Sequence, residues 1–373
     1  MSKVLFVATV VKTHIMEFHV PYLKMFRDAG WETAVAARND YEDPADCVIP
    51  YCDHYYDIPF ERSPLKPGNI KAYRELKKVI DSGHYDIIHC HTPVGALLTR
   101  LAARKARKAG TRVLYTAHGF HFYKGAPLLN WLLYYPVEKL CARWTDTLIT
   151  INKEDYDLAC RKMRAGKVEY VPGVGIDVDR FANAAVDRAA KRREIGVPED
   201  AFLLLSVGEL NKNKNHQVVI KALAKCNNRK IHYAIAGQGN LDKDLLALAR
   251  QLGISEQLHL LGYRNDVAEL YKTADVDVFP SIREGLGLAA LEGMAAGLPL
   301  IAADNRGTRD YARDGENGIV SPPTDADAFA LAIQKLYEDP ELYHAMASRA
   351  EKDAKAFEVE HINHRYLENI YHI

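Results

Sequence analysis

Short, almost continuous apolar runs alternate with longer amphipathic stretches along the chain. VLFVATVV (residues 4–11) is followed by MEFHVPYLKMFRDAG, whose apolar residues recur at helical spacing, and then by WETAVAAR. The rhythm continues through NIKAYRELKKVIDSG, DIIHCHT, the basic GALLTRLAARKARKAG, TRVLYTAHG, LLNWLLYYPVEKLCARW and TDTLITIN. Runs without in–out alternation predict strands buried on both faces, and the amphipathic stretches predict the helices that cover them, which is the pattern of a parallel β-α-β sheet. After VPGVGIDVDRF a second series begins with FLLLSVGEL, HQVVIKALAKC, IHYAIAGQG and LDKDLLALARQLG. It goes on through LHLLGY, VAELYKTA, DVDVFPS, LGLAALEGMAAG, LPLIAAD and NGIVSP, and a helical region opens at DADAFALAIQKLYED. Pro172, Gly173 and Gly175 break the rhythm between the two series.

The predicted fold class is therefore α/β, with two doubly wound, Rossmann-like parallel-sheet domains at residues 1–172 and 173–355. A last helix, 356–373, is expected to pack back on the first domain. A chain of 373 residues exceeds one ordinary core, which agrees. Ligands in such sheets bind beyond the carboxyl ends of the strands, so two facing domains are expected to put the site in the cleft between them.

Composition changes this picture little. Hydrophobic residues at 48% and charged residues at 26% suit a water-soluble globular protein. No apolar run approaches the ~20 residues of a membrane-spanning helix. The first run is too short for a leader's apolar region and lacks a cleavage site, so a cytoplasmic protein is expected. The six cysteines form no C-x-x-C pair and read as reduced thiols. Net charge is zero, yet residues 1–172 hold 25 Lys+Arg against 19 Asp+Glu, and the remainder 24 against 30. A first half at +6 can attract an anionic surface or substrate; chance scatter of surface charge gives the same imbalance. Nucleic acid is not an expected partner.

The most informative motif is REGLGLAALE, which places Glu284 and Glu292 on either side of a glycine-rich turn and a helix start. Unpaired N–H groups at a helix start attract phosphate, and two nearby carboxylates accept hydrogen bonds from sugar hydroxyls. That combination suits a nucleotide-sugar. LSVGELNKNKNH turns at Gly208 and carries Lys212 and Lys214 toward a helix, where a phosphate can lie; a solvated basic turn is the plainer alternative. In IAGQGN, Gly237 and Gly239 permit close approach to the backbone or simply make a tight turn. LLGYRND puts Tyr263 and Arg264 at a strand end, where a base can rest or a surface loop passes. LYTAHGFHFYKG places His118 at a strand end of the first domain, positioned to bond a substrate or stabilise developing charge.

Three further segments are read against function or left open. His89-Cys90-His91 is taken as a strand running into a loop, without a metal. Asp275-Val276-Asp277 and Asp177-Val178-Asp179 resemble a metal-binding D-x-D, but the later copy lies within a strand before its carboxyl end, so no metal site is expected. GAPLLNWLLYYPVEKL, residues 125–140, is apolar and aromatic with Lys124 and Lys139 beside it, so it reads either as a helix covering the sheet or as a membrane-interface helix.

With these segments in place, the chain resembles the retaining GT-B glycosyltransferases of family 4, over essentially its whole length, and in particular bacterial enzymes of capsular or exopolysaccharide synthesis. Glu284 and Glu292 match the family's E-x7-E. The resemblance implies that Glu284 meets donor-sugar hydroxyls, that Glu292 meets the ribose, and that N–H groups of Gly285, Leu286, Gly287 and Leu288 hold the diphosphate. Lys214 falls on the family's phosphate-binding lysine in G-R-L-x-x-x-K, and His118 on the histidine that approaches the donor sugar. Gly208, Gly237, Gly239, Tyr263 and Arg264 fall on donor-side loops, and the loop with Thr13 and His14 lies near the acceptor. Two departures stand out. Glu209 replaces the family's arginine, leaving Lys214, with Lys212, Arg264 or Arg283, to neutralise the diphosphate. The loop Thr9-Val10-Val11-Lys12-Thr13-His14 lacks the family's paired glycines.

The implied reaction is transfer from a UDP-sugar to a lipid-linked saccharide, with no metal or other cofactor, at the inner face of the cytoplasmic membrane. Alternatives are a UDP-sugar epimerase or hydrolase on the same fold, and a non-catalytic nucleotide-sugar-binding protein, which Glu209 would favour. No βα turn carries the G-x-G-x-x-G of a nicotinamide enzyme.

Overall fold

The structure, a computed structural model, describes residues 1–64 and 66–373. It comprises two compact units: Met1–Val174 together with Ile362–Ile373, and Gly175–His361. The architecture is the expected pair of Rossmann-like parallel sheets.

In the first unit the apolar runs become seven parallel strands: β1 (Lys3–Val10), β2 (Glu32–Arg38), β3 (His54–Asp57), β4 (Ile87–His91), β5 (Arg112–Ala117), β6 (Thr147–Thr150) and β7 (Lys167–Tyr170). Their order is β3-β2-β1-β4-β5-β6-β7. β1 is an interior strand, with Val4 opposite Thr33 on one side and Ile87 on the other. Because side chains alternate along a strand, Leu5 and Val7 enter one core and Val4, Phe6 and Ala8 the other, which explains why the whole run is apolar.

The second of these cores is completed from far along the chain. Ile362, Tyr366, Ile370 and Tyr371 pack with Tyr22, Leu23 and Phe26. Tyr371 Oη lies 2.8 Å from His89 Nδ1, and Arg112 donates to the carbonyls of Ile370 and Tyr371. The returning helix is thus part of the first unit.

The helix Leu128–Cys141 has two unlike faces. Trp131, Tyr134 and Tyr135 pack on the core, so the covering-helix reading holds for the aromatic residues. Buried Arg100 binds Glu138 through two hydrogen bonds, 2.9 and 3.1 Å, with its guanidinium 4.1 Å from the Tyr115 ring centroid. Leu128, Leu129, Leu132 and Leu133 face outward, each more than half exposed, with Leu140 beside them.

In the second unit β8 (Phe202–Val207), β9 (Ile231–Ala236), β10 (Leu258–Gly262), β11 (Val276–Phe279), β12 (Leu300–Ala303) and β13 (Gly318–Ser321) form a parallel sheet in the order β10-β9-β8-β11-β12-β13. Strand order reverses direction between β1 and β4 in the first sheet and between β8 and β11 in the second. Turns that leave such a switch point diverge to opposite faces and open a crevice at the carboxyl edge.

Candidate active site

The turns after β8 and β11 flank the switch point of the second sheet, and they bring two residues of the sequence motifs together. Lys214 Nζ lies 2.8 Å from Glu284 Oε1 and 5.3 Å from the Phe279 ring centroid. The lysine arm passes over Gly208, where an added Cβ would stand 3.3 Å from its Cε.

Sequence reasoning missed the groups that fasten these turns. Ile282 N donates to the Asn213 carbonyl at 2.8 Å, and Asn213 Nδ2 donates to the Arg283 carbonyl at 2.9 Å. Asn215 Nδ2 bonds the carbonyls of Pro280 and Pro323, and Asn305 Nδ2 that of Ser281. Buried Arg306 donates from Nε to the Glu284 carbonyl at 3.3 Å. Asparagines in turns are easily read as solvated; here their amides stand in for backbone partners that two converging turns cannot supply to each other.

Gly287 makes the bend into the helix Leu288–Ala295. Its φ is +96°, and a Cβ there would lie 2.7 Å from Phe279 and 2.9 Å from Tyr311 Oη. Tyr311 Oη donates to the Gly287 carbonyl and Tyr271 Oη to that of Ala289. No side chain caps the helix start, so its N–H groups and the positive end of its dipole are presented at the turn.

Glu292 lies one turn into this helix. Burial pushes its carboxyl up to about 7, with Arg180 acting against the shift. Asp277 on β11 is fully buried and Oδ2 has no hydrogen-bond partner among the described residues. Burial, and then the neighbouring Glu292, raise it well above the usual range, which favours its neutral form. Asp275, the other member of that D-x-D, instead binds Arg188 and Arg192. Asp177 caps the helix Val178–Ala182.

The space beside Gly237 and Gly239 is filled from within the protein. A Cβ on Gly237 would stand 1.9 Å from the Gly208 carbonyl oxygen, and one on Gly239 2.3 Å from that of Leu210. Backbone bonds from Gly237 N to Gly262 O and from Leu210 N to Gln238 O seat the turns after β8, β9 and β10 against one another. Tyr263 projects from the tip, 71% exposed. Arg264 bonds Asp266 at 2.7 Å and also Glu194, so its charge is already compensated within the unit. Lys212 and Arg283 are exposed, as is Glu209, which accepts from Asn211.

In the first unit, the residues after β1, β4 and β5 gather histidines. His14 lies in the π-helical turn Val11–Ile15, His19 just beyond it, His91 at the end of β4 and His118 after β5. One ligand atom from each lies within 4.8 Å of the others. Burial is the leading cause that lowers all four, His118 to about 4, so their rings are neutral near pH 7. His89, paired with Tyr371 and Thr116, stays structural. His91 does not share that role: its Nδ1 faces His118 Nε2 at 3.3 Å. Sequence gave no sign of this, because its members come from three separate strand ends. Thr92, next along, holds φ +62°, a costly conformation for a β-branched residue, and its Oγ1 lies 2.6 Å from that of Thr9. Thr13 is exposed and donates to Asp40.

Residues 187–353 match the family model described as Glycosyl transferases group 1, and residues 3–152 the model described as Glycosyl transferase 4-like. A relative named "Putative glycosyltransferase EpsD", from Bacillus subtilis (strain 168), is 47% identical over 360 residues, covering 95% of this chain and 93% of that one. The chain belongs to the group 1, family 4-like glycosyltransferases. A second member of this glycosyltransferase group, the UDP-Gal:alpha-D-GlcNAc-diphosphoundecaprenol alpha-1,3-galactosyltransferase of Escherichia coli, is 29% identical over 73% of this chain and 71% of its own. Among solved structures, Anabaena Alr3699/HepE, crystallised with UDP and glucose, superposes with a TM-score of 0.81 at 21% identity, covering all of both chains. That likeness concerns the GT-B glycosyltransferase fold.

Proposed function

We propose that this glycosyltransferase moves a sugar from a UDP-sugar to a polyprenyl-diphosphate-linked saccharide, with retention of configuration, during synthesis of a cell-surface polysaccharide. The observation that carries the reading is the Lys214–Glu284 pair at the switch point of the second sheet, beside an uncapped helix start. Lys214 and the N–H groups of Gly285 to Leu288 hold the diphosphate and stabilise negative charge on the departing UDP. Glu284 bonds hydroxyls of the donor sugar, and Glu292 those of the ribose; a carboxyl near 7 can both accept and donate there. Gly208, Gly237, Gly239 and Tyr263 shape the nucleotide side. With Arg264 compensated, Lys212 and Arg283 share the diphosphate charge that the family's arginine would carry at Glu209. In the first unit His118 approaches the donor sugar, and Thr13 and His14 the acceptor.

The name of the Escherichia coli relative supports a donor carrying UDP and a lipid-linked acceptor. The outward leucines of Leu128–Cys141 support contact with a membrane, and the cationic Arg104–Lys108 segment of the same unit supports an anionic one. No helix among the described residues is long and apolar enough to cross one.

The test is a thermal-shift screen of UDP-sugars, followed by incubation of the stabilising donor with membrane lipid extract and product analysis by mass spectrometry and NMR. Expected is a lipid-linked product with the donor's anomeric configuration. Release of free sugar at the same rate without lipid would favour the hydrolase reading, and binding without any turnover the non-catalytic one.

A further inference from the structure

The histidines after β1, β4 and β5 are an unusual group for a protein interior. His14 Nε2, both ring nitrogens of His19 and His91 Nε2 are buried without a hydrogen-bond partner among the described residues. Each such orphan costs about 1–3 kcal/mol. These three rings and His118 bring one ligand atom each within 4.8 Å of one another, and unpaired nitrogens gathered in this way call for something that accepts lone pairs or supplies protons.

We propose that His14, His19, His91 and His118 bind one divalent late first-row transition metal ion, zinc foremost. The donor set is all imidazole nitrogen, which suits zinc, copper, nickel or cobalt and disfavours magnesium and calcium, which take oxygen ligands. Three of the six ring spacings fit. Imidazoles bound tetrahedrally at roughly 2.0–2.1 Å place their ring centroids about 5 Å apart. His14 lies 5.0 Å from His19 and 4.9 Å from His118, and His91 lies 5.5 Å from His118. His14–His91 and His19–His118 are both 6.0 Å. Those two pairs are about 1 Å too wide and His19 against His91, stacked at 3.8 Å, is about as much too close, so an entering ion has to draw in the former and spread the latter. The lone pairs are available because burial keeps the rings unprotonated. His14, only partly buried, gives the ion its way in at the carboxyl edge.

One consequence rests on the proposed function. If His118 is needed at the donor sugar, a bound metal withdraws it, so zinc and sugar transfer exclude each other at this residue. The metal site itself does not depend on that reading.

The experiment uses the full chain without a polyhistidine tag, stripped with a chelator and titrated with zinc by calorimetry. A parallel cobalt titration is followed in the visible spectrum. Expected are one zinc per chain and the strong visible absorption of four-coordinate cobalt. His19→Gln and His91→Gln should each weaken binding by roughly tenfold or more. His54→Gln and His372→Gln, exposed and remote in sequence, should leave it unchanged. Should circular dichroism show that the buried variants do not fold, the partly exposed His14→Gln provides the same test. No saturable zinc binding by the wild-type chain, or binding unaffected by the cluster variants, overturns the proposal. Failure of the glycosyltransferase reading would leave the zinc titration untouched.

Discussion

Lys214 Nζ and Glu284 Oε1 lie 2.8 Å apart although 70 residues separate them in sequence. Neither side chain is more than a quarter exposed, so this is a sheltered pair and not one of the screened surface pairs that contribute little. On the proposed function, a diphosphate arriving at the turn would compete with Glu284 for the lysine. Replacing Glu284 by alanine should therefore leave UDP affinity intact or raise it, while lowering the transfer rate by about 100- to 1000-fold. Lys214→Met should do the reverse in binding, weakening UDP by at least about tenfold, the scale of a lost hydrogen bond to a charged group. Calorimetry with UDP and initial rates on both variants check this. If Glu284→Ala loses UDP as severely as Lys214→Met, the division of labour is wrong.

Glu292 makes stability fall as pH rises. Its folded-state pKa, about 7, lies above the ordinary carboxylate value, so the folded chain holds a proton that the unfolded chain has released. Its favourable contribution is complete below the ordinary value and is lost as pH climbs through 7; Asp277 acts in the same direction. Glu292→Gln should raise the melting temperature at pH 8 and change it little at pH 4, with a difference of up to about 3 kcal/mol. Thermal melts of the two proteins across this range decide it. An equal effect at both pH values would assign the gain to packing.

Gly293 faces Asp277 so closely that a Cβ would stand 2.3 Å from Oδ2. Gly293→Ala should destabilise the second unit by about 1–3 kcal/mol, the usual cost of overpacking a core. Chemical denaturation measures it. An unchanged midpoint would mean that the helix carrying Glu292 can move away from β11 at no cost.

The outward leucines give a separable test. Leu129→Glu with Leu132→Glu should abolish sedimentation with vesicles rich in anionic lipid while leaving UDP binding unchanged, because the turns proposed to hold UDP belong to the second unit and these leucines to the first. Wild-type protein that fails to sediment with such vesicles would remove the membrane role.

The sheets were legible because buried parallel strands leave apolar runs that no surface element imitates, and the E-x7-E turn because glycines between carboxylates have few other uses. The aromatic helix at 128–141 was ambiguous for a physical reason. Its tryptophan and tyrosines face the core and its leucines face outward, and composition alone does not report which face is which. Arg264 looked available as a cation because one of its two carboxylate partners, Glu194, is distant in sequence, and nothing in the sequence shows that the other, Asp266 two residues on, folds back to meet it. The histidine group escaped for the same reason: four residues on three strand ends have no local spacing to detect. Asn213, Asn215 and Asn305 passed as ordinary turn residues, since nothing in a turn sequence tells whether an amide meets water or another turn.

The residues from Ile362 onward lie in the same core as β1, while the whole of Gly175–His361 intervenes. The first unit is therefore a discontinuous domain, and the order of synthesis is not its order of completion. During translation the second unit is fully made before Tyr366 and Tyr371 can reach Tyr22 and Phe26. The half of the molecule that leaves the ribosome first is the half that must wait, with part of its apolar floor uncovered, for the last few turns of chain to close it.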